Sequence, residues 1–75
     1  MNNQRRARLK IARYKLNEIR DEIDSIREEE DDMRDNMPEN LQGSERYGES
    51  EGYSASMEDA ISHIDDAVSC IEEII

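Results

Sequence analysis

The sequence predicts an all-α fold: an antiparallel two-helix hairpin, coiled-coil-like, that pairs with a second copy as a homodimeric four-helix bundle. Three observations predict it. Two apolar seams repeat at alternating spacings of three and four residues, a proline-containing turn separates them, and the two ends of the chain carry opposite charge. Length sets the frame: 75 residues make a single domain at most, and a chain this short needs disulfides, metal or oligomerisation to supplement its core. Cys70 is the only cysteine, and there is no CxxC or Cys/His cluster to bind zinc, which leaves oligomerisation. With 40% charged residues and three aromatics, composition alone suits a disordered chain, so the argument for folding rests on pattern.

The first seam runs Leu9, Ala12, Leu16, Ile19, Ile23, Ile26, Glu30, Met33 and Met37, four heptads with one polar interruption at Glu30. Strand alternation cannot generate it. Helix 1 is expected over about residues 4–36. Its stop lies in "DNMPENLQGS", where Pro38 lacks an amide hydrogen and restrains Met37, and Asn36, Asn40 and Gly43 favour a turn over residues 37–43. The second seam is Met57, Ile61, Ile64, Val68, Ile71 and Ile75, flanked by a further row of Ala60, Ala67 and Ile74. That row broadens the apolar stripe beyond what one partner helix can cover. Helix 2 has two possible starts. Ser56 with Asp59 resembles a capping box, but beginning there leaves a long structureless connection. Beginning at Ser44 keeps the register through Tyr47, Ser50 and Ser54, at a cost of about 1 kcal/mol each for Gly48 and Gly52. The longer helix, about residues 44–75 with a weak first part to residue 56, is preferred, and each rod then measures roughly 45–50 Å.

Charge orients the hairpin. Residues 1–20 carry seven basic side chains and one acidic; residues 21–75 carry three basic and nineteen acidic, for a net charge of -10. A basic helix start and an acidic helix end both oppose the macrodipole, so the arrangement needs another partner. An antiparallel fold supplies one by setting the basic segment beside Asp65, Asp66, Glu72 and Glu73, and Arg46 beside the acidic end of helix 1. The self-association core is expected to draw on Leu9, Leu16, Ile19, Ile23, Ile26, Ile61, Ile64, Val68, Ile71 and Ile74, as a dimer in preference to a trimer.

Catalytic constellations are missing, and enzyme activity is not expected. His63 and Cys70 stand seven residues apart on one helix face, roughly 10.5 Å, too far for a shared hydrogen bond or metal. Glu18, Glu22 and Glu29 lack the Glu-x-x-His partners of a di-metal bundle, and the glycines form no phosphate-binding loop, so neither metal nor cofactor is expected. Glu30, on the seam, could pair with Arg34 or Arg46, reach water, or set register. No signal-peptide or membrane-spanning pattern is present, which predicts a cytoplasmic protein that does not engage membranes.

Binding is the function class that remains. An acidic surface of Glu22, Glu28, Glu29, Asp31, Asp32, Asp35 and Glu39 could imitate rows of phosphates and occupy the basic surface of another protein. Solubility alone also explains such acidity. An alternative places phosphate or nucleotide binding on Arg5, Arg6, Arg8, Lys10 and Arg13, although nearby acids on helix 2 should weaken it and direct nucleic-acid binding is not expected. A third reading is a purely structural coiled-coil scaffold or adaptor. Ile11 and Tyr14 lie off the seam and could touch a partner.

The order of a basic "RRARLKI" opening, an acidic end to the first helix, "NMPENLQGSERY" at 36–47 and a Glu/Asp/Ala/Ile-rich second helix resembles short acidic helical-hairpin proteins of phages and mobile elements of Gram-positive bacteria. The likeness covers nearly the whole chain, though "GESEGYSAS" is richer in glycine than the second helix of that group. The group has no assigned activity. What the resemblance implies is a setting, a bacterial host cell, and a mode, stoichiometric binding such as inhibition of a host defence nuclease.

Overall fold

The computed structural model describes residues 1–75 as two long helices folded back on each other, α1 (Asn3–Asp35) and α2 (Glu45–Glu72), joined by a short 3-10 turn at Glu39–Leu41. The hairpin is a thin rod, 60 × 14 × 12 Å. Each helix starts at a side chain that satisfies an orphan amide: Asn2 Oδ1 accepts from the Arg5 amide at 2.8 Å, and Ser44 Oγ accepts from the Tyr47 amide at 3.2 Å. Helix 2 therefore begins at the earlier of its two candidate starts. Ser56 and Asp59 lie inside it. Between the helices, Pro38 is extended (φ -56°, ψ 145°) and its carbonyl accepts the Leu41 amide at 2.9 Å, which reverses the chain without any residue at positive φ.

On α2 the seam is the one its spacing predicts. Tyr47, Ser50, Ser54, Met57, Ile61, Ile64, Val68, Ile71 and Ile75 are its covered positions, with Ser50, Ser54, Ile61 and Val68 buried. On α1 six of the nine predicted seam positions are covered. Leu9, Ala12, Leu16, Ile23, Glu30 and Met37 are half-buried as expected, but Ile19 and Ile26 stay 49% and 48% exposed and Met33 is also exposed. The inward places beside the first column belong to Arg6, Arg13, Arg20, Arg27 and Arg34, one arginine every seventh residue and each half-buried.

The reason for this correction is geometric. An arginine can lay its methylene stem along the neighbouring helix while its guanidinium keeps polar partners, and the small Ser50 and Ser54 leave room for that stem near the turn. Turning α1 to admit the arginines turns Ile19, Ile26 and Met33 towards one open edge.

Two edges of opposite character result. On one, Arg20 Nε donates to Asp65 at 2.9 Å, while Arg27 and Arg34 feel the charges of Glu58 and Glu51. Glu51, Glu58, Asp65 and Glu72 recur at seven-residue spacing, matching the arginines in antiparallel order. The other edge is apolar along most of its length and mixed near the turn, where Glu30, Arg46 and Glu49 stand beside Met33 and Tyr53. Met33 and Tyr53 line one open cavity near the turn, and from there Ile26, Ile19 and Ala12 continue along α1 as Ala60, Ala67 and Ile74 continue along α2.

Gly48 and Gly52 face open space, with nothing within 4 Å of where a Cβ would lie. Replacing each with Ala is expected to raise stability by roughly 0.5–1 kcal/mol, because the gain comes from the unfolded chain and helix propensity alone. Thermal and urea denaturation of Gly48→Ala and Gly52→Ala should show it. Ile61→Ala, by contrast, should cost about 2–4 kcal/mol in the same measurement.

Candidate functional site

Charge, not a cleft, is what this molecule presents, and the structure divides its charges into those consumed internally and those left free. The consumed set centres on Arg34. Its Nη1 donates to the Ser54 hydroxyl at 2.6 Å and to the Ser50 hydroxyl and carbonyl, both at 3.1 Å, while Nη2 donates to Asp31 Oδ1 at 2.6 Å. Ser54 in turn donates to Asp31 at 2.7 Å, and Ser50 to Glu30 Oε1 at 2.7 Å. Arg27 extends the group by donating to Asp24 at 2.9 Å and to Asp31 Oδ2 at 2.7 Å. Every polar atom buried here has a partner.

Within this network the Asp31 carboxyl is held below the usual carboxylate range, first by the Ser54 hydroxyl and then by the Arg34 guanidinium. Arg34 is held in its charged form chiefly by the hydrogen bond to Asp31, and Arg27 by the one to Asp24. Glu30 resolves differently from a pairing with Arg34 or Arg46: its partner is the Ser50 hydroxyl, and Arg46 makes no ion pair although it lines the same cavity of about 440 Å³ with Glu30, Met33, Glu49, Ser50 and Tyr53.

Of the seven acids expected to form a partner-binding surface, Asp31 is thus committed internally, which removes it from that surface. Glu22, Glu28, Glu29, Asp32, Asp35 and Glu39 are exposed and pair with no cation. Glu28 and Asp35 share one line on the back of α1 and Asp32 lies on the neighbouring line, so these free acids form a ridge facing away from α2.

The basic end behaves differently from the sequence expectation. Arg20–Asp65 is the one ion pair between the helices, and Asp66, Glu72 and Glu73 neutralise nothing on α1. Arg6 Nε reaches the Ile74 carbonyl at 3.4 Å. Arg5, Arg8, Lys10 and Arg13 have no ion pair, and Arg5 and Arg8 border an open cavity of about 370 Å³ with Met1, Leu9 and Ala12. Ion pairs of long exposed side chains gain little against the entropy of holding them in place, so opposite charge does not stitch the hairpin closed, and the short turn alone makes the helices antiparallel.

Ile11 and Tyr14 project from the outer face, and Cys70 is an exposed free thiol. No group of three or more His, Cys, Asp or Glu converges in a way that could hold a metal ion, and no helix is long and apolar enough to cross a membrane. No family model, curated protein or solved structure matches the chain.

Sequence reasoning overlooked the Arg34 network. The signal was the five arginines at positions 6, 13, 20, 27 and 34, a heptad repeat as regular as the apolar one, facing serines where the second seam lacks apolar residues.

The Asp31 interaction has a defined pH dependence. A carboxyl whose folded pKa lies below its unfolded value contributes stability that is fully present above the unfolded value and lost as pH falls through the folded one. Asp31→Asn is expected to be less stable than the parent at pH 7, with the difference shrinking once pH drops below the ordinary value of 3.8. Paired urea titrations between pH 7 and pH 2.5 measure it.

Proposed function

We propose that this hairpin is a non-enzymatic binding protein whose acidic ridge on α1 occupies a basic, nucleic-acid-binding surface of a host protein. The observation that carries this reading is the separation of roles among the carboxylates. Asp24 and Asp31 neutralise Arg27 and Arg34, whereas Glu22, Glu28, Glu29, Asp32 and Asp35 are exposed and have no ion pair. A rigid row of uncompensated carboxylates over roughly 20 Å gives a field that attracts a phosphate-binding groove, and the rigidity lowers the entropy lost on docking. Such a ligand acts by stoichiometric occupancy. In a bacterial cell, a defence nuclease is the kind of target it suits.

Arg5, Arg8, Lys10 and Arg13, free of ion pairs, support a second reading in which the opposite end binds a phosphate-bearing ligand such as a cyclic dinucleotide.

Capture from bacterial lysate on the immobilised chain, with duplex DNA as competitor, tests the first reading. The expected result is a nucleic-acid-binding protein that DNA displaces, and at least tenfold weaker capture by the triple variant Glu28→Gln/Asp32→Asn/Asp35→Asn. Undiminished capture by that variant overturns the ridge as the binding surface. For the second reading, cyclic dinucleotides should raise the melting temperature of the parent and leave Arg5→Ala/Arg8→Ala unmoved.

A further inference from the structure

We infer that the apolar edge is a self-association face, on which two hairpins lie antiparallel so that the basic end of each covers the acidic half of the other. The hairpin by itself is short of core. Its buried side chains are Ser50, Ser54, Ile61 and Val68, two of them polar, against the conformational entropy of ordering 75 residues. Meanwhile Ile19, Ile26, Met33, Tyr53 and Ile74 stand exposed along one edge, with Ala60 and Ala67 between them. A face needed for the chain to stay folded has to be covered before any foreign partner is met. A second copy is the one occupant always at hand.

The dimensions suit that occupant. A rod 60 Å long and 14 Å wide offers a face near the roughly 800 Å² per partner of a stable interface. An isologous two-fold contact requires the face to complement itself. Centred between Ile19 and Ile26 on α1, and between Ala60 and Ala67 on α2, an antiparallel pairing sets Ile19 against Ile26 of the second copy and Ala12 against its Met33. On the other helix, Ala60 meets Ala67 and Tyr53 meets Ile74. On α1 the large pair thus lies in the middle, and on α2 the small pair lies in the middle with large residues at both ends, so bulk on one helix is matched by close approach on the other.

Charge selects the direction. Residues 21–53 contain thirteen acidic and three basic side chains, so a parallel stack would lay two such segments side by side. The antiparallel one brings Lys15 opposite Glu29 of the second copy, and Arg5 opposite its Glu39, each twice by symmetry. Arg5 and Lys15 have no ion-pair partner within the hairpin, and neither do Glu29 and Glu39. Glu28, Asp32 and Asp35 point away from this contact and stay open, whereas Glu29 is taken up by it; because the ridge is tested at the first three positions and the dimer at Lys15 and Glu29, the two proposals fail independently.

Sedimentation equilibrium of the full chain should give a species of twice 8.8 kDa. Ile19→Glu/Ile26→Glu should abolish it, with loss of helical circular dichroism as the lone hairpin unfolds, while the outer-face control Ile11→Glu leaves both unchanged. Because unfolding by itself would mimic that result, a charge swap supplies the specific test: Lys15→Glu should weaken dimerisation roughly tenfold, and Lys15→Glu/Glu29→Lys should restore it. Orientation follows from spin labels on Gly43→Cys in a Cys70→Ser background, expected roughly 50 Å or more apart across the dimer. A folded monomer at all concentrations, a species larger than a dimer, failure of the swap to restore association, or labels closer than about 30 Å overturns the inference.

Discussion

An arginine can cover apolar surface with three methylenes and still keep its guanidinium hydrogen-bonded, and the path of α1 in this hairpin depends on that dual capacity. Arg6, Arg13, Arg20, Arg27 and Arg34 occupy one side of the helix contact, where an aliphatic column would ordinarily lie. Their placement fixes the rotation of α1 about its own axis. That rotation in turn decides which carboxylates are neutralised, which face water, and which apolar side chains remain on the open edge.

The Arg34 group shows why the arrangement is specific near the turn. A buried hydroxyl and a guanidinium are costly without partners, and here each finds several: Ser54 donates to Asp31 while accepting from Arg34, and Ser50 donates to Glu30 while accepting from the same guanidinium. Sliding one helix by a turn along the other would break every bond of Ser50 and Ser54 to Arg34, Asp31 and Glu30 at once, leaving only the Arg34–Asp31 pair within α1. A seam of interchangeable aliphatic residues carries no such penalty, so the polar network fixes register where the apolar half of the rod cannot. Arg34 also lies in the last turn of α1, where positive charge complements the helix dipole.

Acidity has two functions in one molecule. Asp24 and Asp31 are structural, spent on arginines of their own helix, while the acids on the back of α1 produce the outward field. The basic end retains Arg5, Arg8, Lys10 and Arg13 without internal partners, so the rod is electrically polar along its length as well as across its width. For a thin rod, end-to-end polarity directs how copies stack, and transverse polarity leaves one side free for other proteins. The proposed dimer and the proposed acidic ridge use these two properties separately.

Helices, their direction and the turn were legible in the sequence because each rests on local chemistry: apolar spacing, a proline that cannot donate, serine and asparagine side chains that cap amides. The register of α2 through Ser50 and Ser54 was legible for the same reason. What the sequence left open was which side of α1 faces inward. Two columns of equal regularity flank Leu9, Leu16 and Ile23, one of Ala12, Ile19, Ile26 and Met33, the other of arginines, and hydrophobicity alone favours the first. Only the tertiary structure chose the second, because the choice depends on the size and hydrogen-bonding capacity of residues on the opposite helix. Ser50, Ser54 and Asp65 lie far from their arginines along the chain, and their effect on α1 exists only once the two helices touch.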